Sequence, residues 1–188
     1  MIVTPSTLPI DFLKSDLVRS PGLHASDIYG DLFRKLEPKR YTDEPMNGPL
    51  VALGSAWERY FEMLLEVNDI IAYRPKEMIS PEGIAFSPDL IINATPRRVG
   101  EIKLTSMSLD DIPDDTTNNL PEKFDKYLVQ MKLYAHWLGL THGWLAILSI
   151  RKPYAPEFRA FNLGFTAAEL QDNYTMIMNH ARHEGMLK

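Results

Sequence analysis

Two short apolar runs separated by a proline-containing break constrain the fold of this chain more than any other feature. The first run contains SPDLII at residues 87–92, and the second contains GEIKL at residues 100–104. The break between them includes ATPR at residues 94–97. Two apolar runs around such a break are typical of a β-hairpin. The pattern predicts strands at about residues 84–93 and 98–104.

The hairpin register brings three charged side chains together. A turn centred on Thr95 places Asp89 directly opposite Glu101, and opposite residues point to the same face with Cβ atoms about 5 Å apart. Lys103 shares that face because it lies two residues beyond Glu101, whereas Ile102 points the other way. A cation between the two carboxylates would remove their repulsion, and hard oxygen ligands suit Mg²⁺ or Mn²⁺.

These charged residues also have a simpler interpretation. An alternating strand often carries a polar outer face, and a cross-strand ion pair between Lys103 and a carboxylate would then only close that face. Under this interpretation Asp89 and Glu101 are exposed to solvent and have no chemical role.

Composition and length narrow the class of protein. The chain has 188 residues, of which 45% are apolar and 24% charged, so we expect one globular domain over residues 1–188. Without a run of 18 apolar residues or a secretion signal, it is expected to be cytoplasmic and to lack membrane contact. Zero cysteines exclude disulfides, thiolate zinc sites, iron–sulfur clusters and a cysteine nucleophile. The net charge of −5 argues mildly against nucleic-acid binding, although local charge decides.

The remaining segments predict helices around further strands. The expected elements are a helix from about 24 to 36 with Ser26 as N-cap, a helix at 51–67, short strands at 70–73 and near 78, a helix at 122–138 started by Pro121, strands at 144–150 and 158–163, and a C-terminal helix with a capping box at 166–169. A helical connection between the hairpin and strand 144–150 indicates a crossover. We therefore expect an α/β fold whose central mixed β-sheet is flanked by helices.

The order of four short motifs resembles the PD-(D/E)XK nuclease superfamily. The name describes Pro88-Asp89 followed by residues 101–103. GSAWE at 54–58 and QMKLY at 130–134 match two motifs of its RecB-type and lambda-exonuclease-type branch. The resemblance implies a restriction-endonuclease-like core at residues 51–150. Residues 1–50 would then form an N-terminal extension with one helix, and residues 151–188 a C-terminal strand and helix.

The resemblance also implies an active site. Asp89 and Glu101 would bind one or two Mg²⁺ or Mn²⁺ ions, with the carbonyl of Ile102 as a third ligand. Lys103 would orient the attacking water and stabilise charge on the phosphate, and Glu58 would add a carboxylate. Cysteine-bearing members of the branch hold an iron–sulfur cluster. This chain has no cysteine and resembles the members without the cluster.

Other residues are candidates for substrate contacts. Gln130 and Tyr134 are four residues apart and share one helix face, from which they would contact a DNA phosphate or hold ligands in place. His24 near a helix start is a further candidate. Arg19 and Arg34 belong to a relatively basic N-terminal region that would contact the DNA backbone; its other members are Lys35, Lys39 and Arg40.

Each of these candidates has a structural alternative. Glu58 belongs to the row Glu58, Glu62 and Glu66, and such a row is usually a solvated helix face. Gln130 and Tyr134 would equally suit a core helix with its glutamine at the rim, and a single histidine is often structural. The acidic stretch within residues 105–121 would either cap the empty site or exclude wrong substrates.

The resemblance implies a metal-dependent DNA nuclease. An exonuclease of phage or bacterial recombination or repair is the first expectation, with DNA as the partner and a recombinase or single-strand-binding protein as further candidates. The alternatives are a structure-specific or restriction-type endonuclease, a non-catalytic nucleic-acid-binding module of the same fold, and an accidental match in a small α/β binding protein.

Overall fold

A five-stranded sheet with helices on both faces organises the chain in a computed structural model, which describes residues 20–41, 48–110, 112, 120–152 and 154–187. The elements in chain order are α1 (Ala25–Leu36), α2 (Gly48–Val67), β1 (Ala72–Tyr73), β2 (Met78–Ile79), β3 (Ala85–Phe86), β4 (Leu90–Ile92), β5 (Arg98–Thr105), a 3₁₀ turn (Glu122–Phe124), α3 (Asp125–Leu138), β6 (His142–Ser149), β7 (Glu157–Gly164) and α4 (Ala167–His183).

The sheet is mixed, as the sequence predicts. Its strand order is β1-β4-β5-β6-β7, and β2 and β3 form a separate two-stranded sheet. The β5–β6 pair is parallel, whereas β1–β4, β4–β5 and β6–β7 are antiparallel. A parallel pair needs a long crossover, and α3 provides it. The expected α/β class is therefore confirmed.

The hairpin of β4 and β5 has the register expected from a turn at Thr95. Leu90 pairs with Gly100 and Ile92 pairs with Arg98, so Asp89, one residue before β4, lies next to Glu101 in register. The prediction of one continuous strand at 84–93 is wrong, because β3 ends at Phe86 and pairs with β2 instead. Pro88 explains the interruption, since it has no N–H to donate to a ladder.

The two faces of the hairpin contact different helices. Leu90 and Ile102 pack with Phe61 and Leu65 of α2 in one apolar cluster. Alternate residues point to the other face, where Ile91, Val99, Leu145 and Ile147 join the larger core formed with α1, α3 and α4. Glu101 and Lys103 share the parity of Val99 and therefore point toward α1 and α3.

Several helix ends differ from expectation. His24, not Ser26, is the N-cap of α1, because its backbone N–H donates to Asp27 Oδ2 at 3.0 Å and completes the first turn. Helix α2 begins at Gly48 and β6 at His142, both earlier than predicted. The capping box of α4 is present as expected, with the Glu169 N–H donating to Thr166 Oγ1 at 3.2 Å.

Parts of the chain lie outside the described residues. They include Arg19 and part of the segment 105–121, namely residue 111 and residues 113–119. Of that stretch, Asp110 is described and forms an ion pair with Lys152 at 3.3 Å. Among the described helices, none combines the length and apolar character that crossing a membrane requires.

The close contact of β4 and β5 requires a glycine at position 100. A Cβ atom there would lie 2.9 Å from Leu90 Cβ, which has no freedom to move away. We expect Gly100→Ala to lower the free energy of unfolding by about 1–3 kcal/mol. Gly54→Ala is the matched control, since a Cβ at Gly54 would meet nothing within 4 Å, and in a helix this change stabilises by up to about 1 kcal/mol. Urea unfolding followed by circular dichroism measures both; equal effects would contradict the close contact.

Candidate active site

Asp89, just before β4, forms one cluster with Glu101 and Lys103 in the middle of β5. The Lys103 ammonium lies 3.6 Å from Asp89 Oδ2 and forms an ion pair with Glu101 Oε1. The backbone N–H of Ile102 donates to Asp89 Oδ2 at 2.8 Å and fixes that carboxylate. Glu101 is 0% exposed. A polar outer face closed by a solvated ion pair is therefore not the arrangement in the structure.

Gln130 of α3 holds one oxygen of Glu101 and leaves the other free. Its Nε2 donates to Glu101 Oε1, the atom that Lys103 also contacts. The second oxygen, Oε2, is buried and has no hydrogen-bond partner among the described residues. An unpaired buried carboxylate oxygen is unfavourable and calls for a ligand or an ion. The donor set of this cluster, carboxylates with a free oxygen, fits Mg²⁺ or Mn²⁺.

Burial and mutual repulsion perturb the acidity of the cluster. Burial, and secondly the charge of Asp89, raise the pKa of Glu101 to about 8. Burial by itself would lower the pKa of Lys103. The carboxylates of Asp89 and Glu101 outweigh this effect and raise the pKa of Lys103 well above its usual value. Without a cation, the cluster therefore holds a positive ammonium and keeps a proton on Glu101.

Glu58 lies close enough to Asp89 to be affected by its charge. Burial, and then the Asp89 carboxylate, raise the pKa of Glu58. Its Oε2 accepts from Arg74 Nη2 at 3.0 Å, while Arg74 Nε donates to Glu62 Oε1 at 2.7 Å. Of the expected acidic row, only Glu66 is exposed, and its carboxylate has no partner among the described residues. The sequence analysis did not identify Arg74, because nothing around an arginine that follows a short strand shows which carboxylate it pairs with.

Tyr134 lies inside the protein beside a tyrosine that the sequence did not single out. Tyr134 and Tyr29 of α1 are both buried, and their hydroxyls share a hydrogen bond. Burial raises the pKa of both phenols, and the charge of Glu101 adds to this shift. Both phenols therefore stay neutral, and both are close enough to Glu101 to be affected by its charge. Tyr29 was missed because its spacing with Ala25 and Leu32 indicates only a core face.

His24 is fixed by its neighbours. Its Nε2 lies 2.8 Å from the Ser20 carbonyl, and its Nδ1 lies 3.5 Å from Glu77 Oε2. The ring is buried and borders a cleft of about 280 Å³. Other residues lining this cleft include Tyr29, Phe86, Ser87, Gln130 and Tyr134. Three of the sequence-predicted candidates thus meet at one cleft, where His24 already has structural partners.

A group of cations lies beside the cluster. Burial lowers the pKa of Lys126 of α3, and the positive charges of Arg34, Lys103 and Arg40 lower it further. The Lys126 ammonium also lies 4.7 Å from the centroid of the Tyr41 ring. Arg34 is thus close enough to Lys126 for its charge to act there. Lys126 was missed because nothing in its local sequence marks it.

A second group of potential ligands lies on α1 and α4. Ligand atoms of Asp31, His180 and Glu184 all lie within 4.8 Å of one another. Lys35 already pairs with both carboxylates, because its ammonium lies 3.2 Å from Asp31 Oδ2 and forms an ion pair with Glu184. We assign this group to the packing of α1 on α4.

Comparison with known proteins identifies the fold. No protein-family model matches the sequence, and no curated protein matches it. The crystal structure of an alkaline exonuclease (LHK-Exo) from Laribacter hongkongensis superposes with a TM-score of 0.52 and 15% identity, covering 87% of this chain and 89% of that chain. LHK-Exo in complex with dAMP gives a TM-score of 0.49 and 14% identity over the same shares. The likeness to the first of these structures shows a shared fold.

The raised pKa of Glu101 makes the stability of the metal-free protein depend on pH. Above the pKa of an unfolded glutamate, about 4.3, the unfolded chain releases this proton while the folded protein keeps it until about pH 8. The free energy of unfolding should therefore fall between these values as pH rises, by at most about 1.4 kcal/mol per pH unit. In Glu101→Gln this contribution should be absent.

Urea unfolding at pH 5, 6, 7 and 8 in EDTA measures this slope. Asp172→Asn, which removes an exposed carboxylate, serves as the control and should follow the wild-type curve. Parallel curves for wild type and Glu101→Gln would show that Glu101 titrates normally.

Proposed function

We propose that this protein is a divalent-metal-dependent DNA nuclease that hydrolyses phosphodiester bonds as an exonuclease. The observation that carries the proposal is the free, buried Oε2 of Glu101 beside Asp89 and Lys103. The fold shared with an alkaline exonuclease supports it independently. The motif order resembling PD-(D/E)XK nucleases agrees with both.

Asp89, Glu101 and the carbonyl of Ile102 would hold Mg²⁺ or Mn²⁺, with Glu58 as an additional carboxylate. A bound divalent cation supplies positive charge that lowers the pKa of a water and neutralises charge in an in-line phosphoryl displacement. Gln130 keeps Oε1 of Glu101 engaged, so that Oε2 is presented as the ligand. Arg74 must share or release Glu58 for that carboxylate to take part.

Lys103 has the central role among the protein's own groups. Its side chain is 22% exposed, so the ammonium can reach a phosphate while it contacts both carboxylates. Once a cation neutralises Asp89 and Glu101, Lys103 can orient the attacking water and stabilise negative charge on the phosphate. Arg34 and Lys126 extend this positive region and would bind the DNA backbone.

A role in phage or bacterial recombination or repair is part of the proposal, and it rests on the resemblance of the motifs. The alternative functions are an endonuclease and a non-catalytic DNA-binding module of the same fold. The activity test below distinguishes both from an exonuclease.

Metal binding should stabilise the folded protein. A cation that binds only the folded state adds about 2.7 kcal/mol to the free energy of unfolding at one hundred times its dissociation constant. We expect Mn²⁺ or Mg²⁺ to raise the melting temperature of wild type but not of Asp89→Asn. The apparent affinity should increase toward about pH 8, because the cation must displace the proton of Glu101.

Thermal unfolding in a metal titration at pH 6, 7 and 8 checks this expectation. Asp172→Asn is again the control and should respond as wild type does. An equal response of wild type and Asp89→Asn would place the ion elsewhere, for example at Asp31, His180 and Glu184.

Nuclease activity should require both the metal and Lys103. Lys103→Ala should reduce the cleavage rate by at least about 100-fold, because it removes a charge that acts on the transition state. The assay uses end-labelled linear duplex, single-stranded DNA and covalently closed circles, with Mg²⁺, Mn²⁺ or EDTA. Metal-dependent loss of linear DNA with circles intact would establish an exonuclease, and cutting of circles an endonuclease. DNA binding without cleavage of any substrate would favour the non-catalytic module.

A further inference from the structure

Helix α2 carries an apolar stripe on the side that faces away from the sheet. Its members are Leu53 at 48% exposure, Ala56, Tyr60 at 50%, Met63 at 49% and Val67 at 67%. Their spacing alternates between three and four residues, which is the a/d pattern of a coiled coil. The opposite side of the same helix contains Leu65, which is buried against the sheet, and Glu58.

This pattern differs from ordinary surface hydrophobicity. Single exposed apolar residues are common on soluble proteins, but a continuous stripe usually marks an interaction surface. The stripe spans two heptads, from Leu53 to Val67. Ile70 and Ile71, at 43% and 70% exposure, continue the apolar surface beyond the helix. A groove of about 790 Å³ between α2 and β1 borders Met63 and Ile71.

Two charges beside the stripe indicate what covers it. Arg59 and Glu66 both occupy g positions when Tyr60 is an a position, and both are exposed. Neither side chain forms an ion pair or a hydrogen bond with another described residue. In an antiparallel pair of such helices, residues at a positions face residues at d positions of the partner, and residues at g positions face residues at g positions. Their opposite charges are therefore complementary to a second copy of the same helix.

The register of that pair follows from the stripe. When Tyr60 faces Met63 of a second copy, Ala56 faces Val67 of that copy. The same register places Arg59 beside Glu66 of the second copy, and the two-fold symmetry repeats the contact. A parallel pair would instead place Arg59 beside Leu64, so that both charges would lack a partner. The antiparallel arrangement satisfies the apolar stripe and the charges together.

We propose that the α2 stripe, Leu53 to Val67, is a self-association surface through which two copies of this chain form an antiparallel dimer. The dimer leaves Glu58 on the inward side of α2, so each copy keeps its own active site. The proposal does not depend on the nuclease function.

A charge exchange tests the pairing of Arg59 with Glu66. In Arg59→Glu or Glu66→Arg, like charges meet twice across the interface, and the dissociation constant should rise about tenfold or more. The double variant Arg59→Glu/Glu66→Arg restores opposite charges and should return near the wild-type value. Lys76→Glu makes the same change of charge as Arg59→Glu at an exposed position that does not belong to α2, and it should have no effect. Sedimentation velocity over a concentration series measures all four.

Cysteine cross-linking tests the register, and the absence of native cysteines makes it unambiguous. Ala56→Cys/Val67→Cys should form a disulfide-linked dimer on mild oxidation. Within one helix these positions are about 16 Å apart, too far for an internal bond. Ala56→Cys alone should stay unlinked, because only a parallel pair brings two copies of this position together. Circular dichroism verifies that each variant is folded.

A dimer weakened by either single charge change, restored by the double variant and linked through the cysteine pair supports the proposal. A monomer at every concentration overturns it. An oligomer that neither charge change affects and that does not cross-link overturns it as well, because another surface would then form the contact.

Discussion

The burial of Glu101 is the constraint on which the rest of the structure depends. A carboxylate without solvent contact is strongly disfavoured unless charges and hydrogen bonds compensate for its lost hydration. Lys103 from the same strand and Gln130 from the crossover helix provide that compensation at one oxygen. Strand β5 can carry such a residue because β4, β6 and helices on both faces surround it. The mixed sheet and its crossover thus create the solvent-excluded position in which the pKa of this carboxylate is raised.

The compensation is incomplete, and this gives the cluster its chemical character. Oε2 of Glu101 has no partner among the described residues, and Asp89 is held nearby by the N–H of Ile102. Without a cation, a proton on Glu101 lowers the charge repulsion. A site of this kind is less stable than an apolar core of the same shape, and binding a cation would release that unfavourable energy. The unfavourable burial of Glu101 and the proposed binding of a cation therefore have the same origin.

Helix α2 links the cluster to the molecular surface. Leu65 and Phe61 anchor it to the sheet beside Leu90 and Ile102, which fixes the direction in which Glu58 points. The remaining face is apolar at heptad spacing and lies in solvent. One helix thus supplies a carboxylate near Asp89 and a candidate interface on its opposite side. The period of 3.6 residues per turn keeps these two sets of residues apart.

Local patterns in the sequence were sufficient for most elements and for the central cluster. The hairpin register follows from the turn at Thr95, because the side-chain period of two places Asp89, Glu101 and Lys103 on one face. The break after Phe86 was not predicted. The length of an apolar run can be read from the sequence, but the strand with which each part of the run pairs cannot. The same limit applies to His24, whose role as the cap of α1 depends on Asp27 and on the bridge to Ala85.

Sequence alone therefore determined the spacing of charges along β4 and β5, the period of each helix and the absence of cysteine chemistry. Only the tertiary structure decided that Glu101 is buried with one free oxygen, that Arg74 binds Glu58, and that Tyr29 and Lys126 lie beside the cluster. These contacts join residues far apart in the chain, and nothing in the local sequence around one partner identifies the other. Periodicity shows which face a residue occupies, whereas packing shows what covers that face.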